Sequence, residues 1–299
     1  MRIVSLLPSA TEIVCALGLT DDLVGVSHDC DYPPAIAGKR VLSDALVSAA
    51  MPSPQIDAAI RGHIHTGKSV YHLDGAHLAA LRPDLILTQE LCQVCAPSFT
   101  DVRRAARVLE GRTRIVSLEP HGVDDILDTI LEVGRLTDLD AVAGDVVARL
   151  RVRIDRVRGL PALQPRPRVL CLEWLDPMFV AGHWVPEMVE MAGGVDGVGR
   201  PRKDSYVIEW PEVVDAAPDV IAVMPCGFDI ARTRDEIHLL TRRPGWADIP
   251  AVQNGRVYLT DGTAFFSRPG PRIVRGLEIL AEVLRAPAGP FRAEGVESA

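Results

Sequence analysis

The sequence predicts an α/β protein with two doubly wound parallel-sheet lobes, which are joined by a long helix and enclose a ligand cleft between them. Three observations lead to this prediction. Short apolar segments alternate with helical patterns in both halves of the 299-residue chain, which is typical of parallel sheets covered by helices. A Pro-Asp motif precedes a strand once in each half, and a long helical stretch separates the halves.

The first half contains four apolar segments of strand length. They are RIVSLL, LVGVS, LILTQ and TRIVSL, and segments with helical apolar spacing, such as DVRRAARVL, lie between them. Strands that are buried on both faces of a parallel sheet are nearly continuous apolar segments of this kind. We therefore predict an α/β lobe in the first half.

The second half repeats this alternation. RVLCLEW, VIAVMP and RVYLTDG have the composition of strands, and PEMVEMAGG has that of a helix. The halves also share one motif, because eight residues separate Leu73-Asp74 from Pro83-Asp84 and eight separate Ile208-Glu209 from Pro218-Asp219. The equal spacing indicates two lobes of similar construction.

A segment of helical character lies between the two halves. Apolar residues recur every three or four positions from Asp124 to Leu160, and the prolines of PALQPRPR then end the helical pattern. The segment is either two consecutive helices in one domain or a single spine helix between two lobes, with a break near Gly144, and we predict the spine. The predicted domains are an N-terminal lobe at 1–138, a linking helix with a Pro-rich exit at 139–164, a C-terminal lobe at 165–288 and a tail at 289–299.

The composition limits the possible partners and compartments. A net charge of −8 and a pI near 5.5 argue against a broad phosphate-binding surface, so we expect no nucleic acid partner. No stretch approaches 18 uninterrupted apolar residues, which predicts no membrane insertion. Pro8, Ser9 and Glu12 interrupt the first apolar segment, so it does not resemble a secretion signal, and the six cysteines then indicate thiols. These features predict a cytoplasmic protein.

Candidate ligand-binding residues follow the predicted strands. In open parallel sheets, ligands bind beyond the carboxyl ends of the strands. Half of the aromatic residues occupy these loops, which predicts an apolar pocket with a few polar contacts. The predicted ligand-binding residues are His28, Asp29, Tyr32, Gln89, Glu90, Cys92, Trp174, Phe179, His183, Trp184, Phe228, Asp261, Phe265 and Phe266.

The segment TQELCQVC places Cys92 and Cys95 in a CxxC arrangement after a predicted strand. Such a pair can be half of a zinc site, a thioredoxin-like redox pair, or part of a pocket rim or of ordinary packing. A second CxxC motif is absent from the sequence, which disfavours zinc. At a pocket rim, a thiolate can bind a metal that the ligand carries. His28, Cys92 and Cys95 are therefore the predicted metal-binding residues.

Motifs for common enzymatic chemistry are absent from the sequence, which has no GxSxG, P-loop or GxGxxG pattern. We therefore predict a binding protein rather than an enzyme. The alternative is an enzyme in which Cys92 or Cys95 is the nucleophile or a metal ligand and His28 or His183 is the base.

Several segments resemble one known family. They are RIVSLLPSATEIVCALG, LVGVSHDCDYPP, LAALRPDLILTQ, FVAGHWVPEMVEMAGG, APDVIAV and DGTAFFSRPGPRIVRGLEIL, which cover most of the chain in the family's order. The chain resembles the substrate-binding proteins of cobalamin and iron-chelate ABC importers, and most closely the vitamin B12 binders. This resemblance implies two α/β lobes, one linking helix and a cleft for a large planar chelate.

The resemblance implies a corrinoid such as cobalamin as the ligand, with haem or a ferric chelate as the alternative. By position, SHDCDYPP matches the ligand loop of the family's first lobe, Trp174 and Phe179 match an aromatic pair of the second lobe, and Asp261 matches a polar residue after the last strand. The B12 binders have an aromatic residue in the first loop, where this sequence has Asp29 beside His28.

The resemblance also implies an ABC permease as a partner. Exported members of the family carry one exposed docking glutamate per lobe, seven residues before the proline of the Pro-Asp motif. Here Ala76 and Pro211 occupy these positions, while Asp74 and Glu212 lie nearby. We therefore expect a cytoplasmic protein that handles, stores or senses a corrinoid, in preference to the substrate-binding protein of an importer.

Overall fold

A computed structural model describes residues 1–66, 69–89, 113–287 and 289–299. The chain divides into two compact units, and each unit contains its own main sheet, as the sequence predicts. The predicted boundaries differ from this division, which crosses the chain at five points, three of them inside helices. Unit 1 comprises Met1–Met51, Gln55–Pro120 and Asp125–Ala148, and unit 2 comprises Pro52–Pro54, His121–Asp124 and Arg149–Ala299.

Unit 1 contains a parallel sheet and a separate antiparallel pair of strands. In the described part of the unit, the sheet has the order β3-β2-β1-β6-β7, and all its neighbouring strands are parallel. The antiparallel pair is β4 with β5. The strands are β1 Ile3–Ser5, β2 Leu23–Val26, β3 Arg40–Val41, β4 Ser43–Ala45, β5 Tyr71–Leu73, β6 Leu85–Thr88 and β7 Arg114–Ser117.

Helices cover the sheet of unit 1 and bury its apolar side chains. Buried residues from β1, β6 and the helix before β6 form one hydrophobic cluster, which includes Val4, Leu78 and Ile86. Burial of such side chains contributes about 25 cal/mol per Å² of apolar surface. The described helices up to residue 158 are α1 Pro8–Ala16, α2 Ser53–His65, α3 Gly75–Leu81, α4 Val123–Leu136 and α5 Asp140–Arg158, and a 3₁₀ turn covers Pro34–Ile36. The helices α2, α4 and α5 each cross the boundary between the two units.

The predicted break near Gly144 is wrong, because Gly144 lies inside α5 and the helical segment is interrupted between α4 and α5. Asp138 has a left-handed backbone with φ 57°, and the Leu139 N–H donates to the Gly134 carbonyl at 2.8 Å. At Gly134 the two helices approach closely, since a Cβ there would lie 2.4 Å from the Ala143 Cβ. The break therefore lies beside a close contact between the two helices.

Unit 2 contains a sheet with a parallel centre and antiparallel edges. The described strands have the order β11-β9-β8-β12-β13-β15-β14, and β10 pairs with β8. Strands β8, β12 and β13 are parallel, whereas β9, β11, β14 and β15 pair antiparallel at the edges. The strands are β8 Arg168–Leu175, β9 Met178–Val180, β10 Val195–Asp196, β11 Tyr206–Val207, β12 Val220–Val223, β13 Val257–Thr260, β14 Arg292–Ala293 and β15 Val296–Ser298.

The predicted C-terminal tail is part of this sheet, because β15 pairs with β13 from Val296 to Ser298. The segment is too short for its apolar alternation to predict a strand.

No described helix is long and apolar enough to cross a membrane. The remaining helices are α6 Val185–Ala192, α7 Trp210–Ala216, α8 Ile230–Glu236, α9 His238–Thr241, α10 Pro250–Gln253, α11 Gly262–Phe265 and α12 Ile273–Arg285, with a 3₁₀ turn at Trp246–Asp248.

The repeated Pro-Asp motif has the same structural role in both units. In unit 1, the Arg2 N–H donates to the Asp84 carboxylate at 2.7 Å, and the Asp84 N–H donates to the Arg2 carbonyl at 2.8 Å. In unit 2, Arg168 and Asp219 exchange the same two bonds at 2.9 and 2.8 Å. Each pair aligns the beginnings of two adjacent parallel strands, so the carboxyl ends of those strands are aligned too.

We expect Gly134→Ala to destabilise unit 1 by about 1–3 kcal/mol, because the added methyl group overlaps Ala143 and the helices must shift. Gly144→Ala is the matched control, since a Cβ at Gly144 meets no atom within 4 Å. Alanine at that helical position is expected to stabilise by about 0.5–1 kcal/mol. Urea unfolding monitored by circular dichroism measures both changes. Equal effects of the two substitutions would contradict the close helix contact.

Candidate functional site

In unit 1, His28 follows β2 and makes several contacts. Its Nδ1 lies 2.9 Å from the Ser43 Oγ, and its backbone N–H donates to the same oxygen at 3.2 Å. The imidazole packs against the Tyr71 ring with 5.4 Å between centroids, and its Nε2 lies 3.4 Å from the Asp29 carboxylate. The predicted residues His28 and Asp29 therefore lie together at the carboxyl end of the sheet.

A network of hydroxyl and thiol groups supports the loop that carries His28. The Cys30 sulfur lies 3.0 Å from the Thr11 hydroxyl and 3.1 Å from the Ser27 hydroxyl, and Thr11 donates to the Ser5 hydroxyl at 2.8 Å. These groups connect the end of β1, the helix α1 and the loop. Cys30 is therefore part of the loop's support.

The other predicted residues of unit 1 differ in exposure. Tyr32 is 42% exposed, in the same loop as His28, whereas Gln89 is buried after β6. Glu90, Cys92 and Cys95 lie outside the described residues. In the ranges that the structure describes, no three His, Cys, Asp or Glu side chains are grouped to hold a metal ion. The proposed roles of the CxxC pair remain predictions.

In unit 2, three predicted aromatic residues lie near the end of β8. The rings of Trp174 and Phe228 are 5.1 Å apart, and the Arg232 guanidinium lies 4.3 Å from the Phe228 ring centre. Phe179 on β9 is paired with Trp174 on β8. Phe228 is buried, while Trp174 and Phe179 are half-buried.

Four other predicted residues of unit 2 have mainly structural contacts, and their role in ligand binding stays a prediction. Trp184, Phe265 and Phe266 are buried, and the Trp184 indole N–H donates to the Phe266 carbonyl at 2.8 Å. Asp261 accepts the Ala264 N–H at 2.8 Å and caps α11. Sequence position places these residues after strands, but their side chains fill the unit's interior or cap a helix.

His183 lies in a strained loop of unit 2. Its backbone has φ 52°, a left-handed conformation that is uncommon for residues other than glycine. Two backbone hydrogen bonds hold His183 in place. The His183 N–H donates to the Lys203 carbonyl at 2.6 Å, and the Arg202 N–H donates to the His183 carbonyl at 2.8 Å. Burial lowers the pKa of His183, so the imidazole is predominantly neutral at neutral pH.

Glu173 supports the same loop from β8. Burial raises the pKa of its carboxyl to about 7, although the Ser205 side chain and the Gly182 N–H act in the opposite direction. A Cβ on Gly182 would lie 2.4 Å from the Lys203 carbonyl, so this loop packs too tightly for a larger residue. The carboxyl therefore changes charge near neutral pH in a closely packed part of unit 2.

Four residues with notable contacts are not among the predicted site residues, and they are Ser43, Tyr71, Glu173 and Arg232. Ser43 and Tyr71 meet because β4 and β5 pair, and neither strand has an apolar segment long enough to predict it. The sequence did contain an indication for Glu173, because it is the one acidic residue within the apolar segment RVLCLEW. Arg232 reaches Phe228 only through the turn that begins α8.

We expect Glu173→Gln to stabilise unit 2 at pH 8 by on the order of 2–3 kcal/mol and to have little effect at pH 4.5. Because the folded-state pKa is raised, the stability contribution of this carboxyl is present below its unfolded pKa and is lost as the pH rises through about 7. Urea unfolding across this range measures the difference. Glu190→Gln, which removes an exposed carboxylate of unit 2, is the control, and equal pH profiles for wild type and Glu173→Gln would contradict the prediction.

Comparison with known proteins shows similarity along nearly the whole chain. The vitamin B12-binding protein of Vibrio cholerae is 24% identical over 287 residues, which are 95% of this chain and 89% of the relative. The ABC transporter substrate-binding lipoprotein YvrC of Bacillus subtilis is 23% identical over 294 residues, with 94% and 79% covered. A periplasmic heme-binding protein of Pseudomonas aeruginosa has the same fold, with a TM-score of 0.71, 20% identity and 100% and 98% of the two chains covered.

The prediction of a cytoplasmic location is wrong. It depended on the first residues, which form the buried strand β1 and the helix α1 and so carry no information about the compartment. The family model for periplasmic binding proteins matches residues 3–264, and the Bacillus relative is a lipoprotein, so the relatives act outside the cytoplasm. The chain belongs to the periplasmic binding protein family.

Proposed function

We propose that this protein is the substrate-binding protein of an ABC importer and that its substrate is a corrinoid. The observation that carries the proposal is the alignment of 95% of the chain with a vitamin B12-binding protein. A cobalamin-binding protein of Halobacterium salinarum, 26% identical over 294 residues, supports the same substrate. The family assignment supports a binding role.

The described side chains suit a corrinoid. A corrin ring is large, conjugated and mostly apolar, and its periphery carries amide groups that form hydrogen bonds. Trp174 and Phe179 present half-buried ring surface, which binds such a ring by stacking and by burial of apolar area. His28 presents an imidazole nitrogen, a common ligand of transition metals. The aromatic rings and the imidazole therefore match different parts of such a ligand.

Haem is the main competing substrate. The Pseudomonas protein shares the fold at 20% identity, so it supports the architecture and not the ligand.

The predicted absence of enzymatic activity stays a prediction, and the relatives' names describe binding proteins.

A permease partner is part of the proposal, and the two acidic residues nearest the docking positions are already engaged. Asp74 accepts the His77 N–H at 3.0 Å and caps α3. Glu212 accepts the Glu209 N–H at 2.9 Å in a capping box of α7. If a permease bound Asp74 and Glu212, it would therefore contact carboxylates that also cap α3 and α7.

We expect the purified protein to bind one equivalent of cyanocobalamin, measured by isothermal titration calorimetry. Haem and a ferric siderophore are titrated under the same conditions, and each is expected to bind at least tenfold more weakly. A preference for haem would replace the proposed substrate. Binding of none of the three would contradict the proposed function.

We expect Trp174→Leu to weaken cyanocobalamin binding at least tenfold, or about 1.4 kcal/mol, because the substitution removes the indole surface on which the ligand packs. Trp210→Leu is the matched control, because Trp210 is a tryptophan of the same unit whose ring stacks on Trp246, with 6.3 Å between ring centroids, and not on Phe228. Calorimetry measures both affinities. Equal losses in the two variants would argue against a ligand contact at Trp174.

A further inference from the structure

The antiparallel pair β4–β5 presents two side chains to His28. Ser43 is opposite Leu73, and Ala45 is opposite Tyr71. Because directly opposed residues and alternate residues share a face, Ser43 and Tyr71 lie on the same face of this pair. The Ser43 hydroxyl bonds Nδ1 of His28 and the Tyr71 ring packs on the imidazole. This small sheet therefore fixes both the position and the orientation of the ring.

The contacts leave one ring nitrogen of His28 for a ligand. Nδ1 faces Ser43, which is buried with 2% exposure, whereas 21% of the His28 side chain is exposed. We propose that His28 binds the metal of the substrate through Nε2, and that Ser43 and Tyr71 are the positioning residues for this bond. The inference rests on the proposed function, because the metal belongs to the corrinoid.

Ser43 suits this role because its hydroxyl both donates and accepts. It accepts the backbone N–H of His28, and it either donates to Nδ1 or accepts a proton from it. When Nε2 carries the proton and faces Asp29, the Ser43 O–H donates to Nδ1. When Nε2 presents a lone pair to a metal, Nδ1 carries the proton and donates to Ser43. The partner of the second nitrogen sets which nitrogen is free for the metal.

Asp29 competes with the metal for Nε2. Its carboxylate lies 3.4 Å from that nitrogen in the described structure and its side chain is 47% exposed. It favours the tautomer in which Nε2 is protonated. Replacing Asp29 by asparagine removes this charge and leaves a similar shape, so the substitution is expected to favour the metal-bound form.

The proposed step is a ligand exchange at cobalt(III). Aquocobalamin carries one water on its upper face. The Nε2 lone pair forms a bond to cobalt and the water leaves, while solvent takes the proton from Nε2 and supplies one to Nδ1. Neither cobalt nor the protein changes oxidation state, so no oxidant or reductant is required.

The test is the visible spectrum of aquocobalamin with the full chain. Aquocobalamin mixed with free imidazole gives the reference spectrum. Wild type is expected to reproduce it, while cyanocobalamin, whose upper position is blocked by cyanide, is expected to bind without that change. His28→Ala is expected to lose the imidazole spectrum. Ser43→Ala is expected to lower the equilibrium constant for its formation roughly tenfold to hundredfold, as for other residues that orient metal ligands.

Three further variants distinguish an effect on the orientation of the His28 ring from a general loss of protein stability. Ser43→Thr keeps the hydroxyl and is expected to restore the spectrum, and Asp29→Asn is expected to increase its amplitude. Thr129→Val removes another buried hydroxyl of unit 1, which bonds the Ile126 carbonyl, and is expected to leave the spectrum unchanged. Circular dichroism shows whether each variant is folded.

The outcomes distinguish this inference from the proposed function. A wild-type complex with one equivalent of cobalamin and an unchanged spectrum would overturn the role of His28 and leave the proposed function intact. An imidazole spectrum that persists in His28→Ala would assign the metal to another residue and overturn the inference as well. Failure of both cobalamins to bind would overturn the proposed function and this inference together.

Discussion

The alignment of neighbouring parallel strands is the constraint on which the candidate sites depend. In each unit an aspartate after a helix exchanges two hydrogen bonds with an arginine at the start of the adjacent strand. These bonds satisfy backbone groups that the helix and strand ends would otherwise leave unpaired. Because strands rise by about 3.3 Å per residue, a shift of one residue would move the following loop by that distance. The Pro-Asp motif thus helps to fix where the loops after these four strands begin.

The two units place their functional side chains by different means. In unit 1, hydroxyl groups fix the loop after β2, since Ser43 holds His28 and a chain of hydroxyl and thiol contacts holds Cys30. In unit 2, packing dominates, since Trp174 and Arg232 both contact Phe228. Hydrogen bonds orient a polar ring for one specific contact, while ring packing supplies broad apolar surface.

Tight packing and a shifted pKa occur together beside His183. The backbone there has a left-handed residue, a glycine that leaves no room for a side chain and a carboxyl whose pKa is raised to about 7 by burial. Strained backbone persists only where the surrounding contacts determine it strongly. This loop is therefore well fixed on the side of unit 2 that also carries the Trp184 indole.

The sequence by itself determined the two α/β units and the repeated Pro-Asp motif, because apolar period and turn residues act locally along the chain. The resemblance of several segments to a known family indicated the family. The sequence also led to His28, Asp29 and Trp174, since strand ends are visible as the ends of apolar segments. The tertiary structure decided the rest. Whether Phe265 or Trp184 faces solvent and whether Ser43 meets His28 depend on contacts between residues far apart in the chain. The hydrophobic pattern records that a side chain is apolar, but only the packed fold determines what covers it.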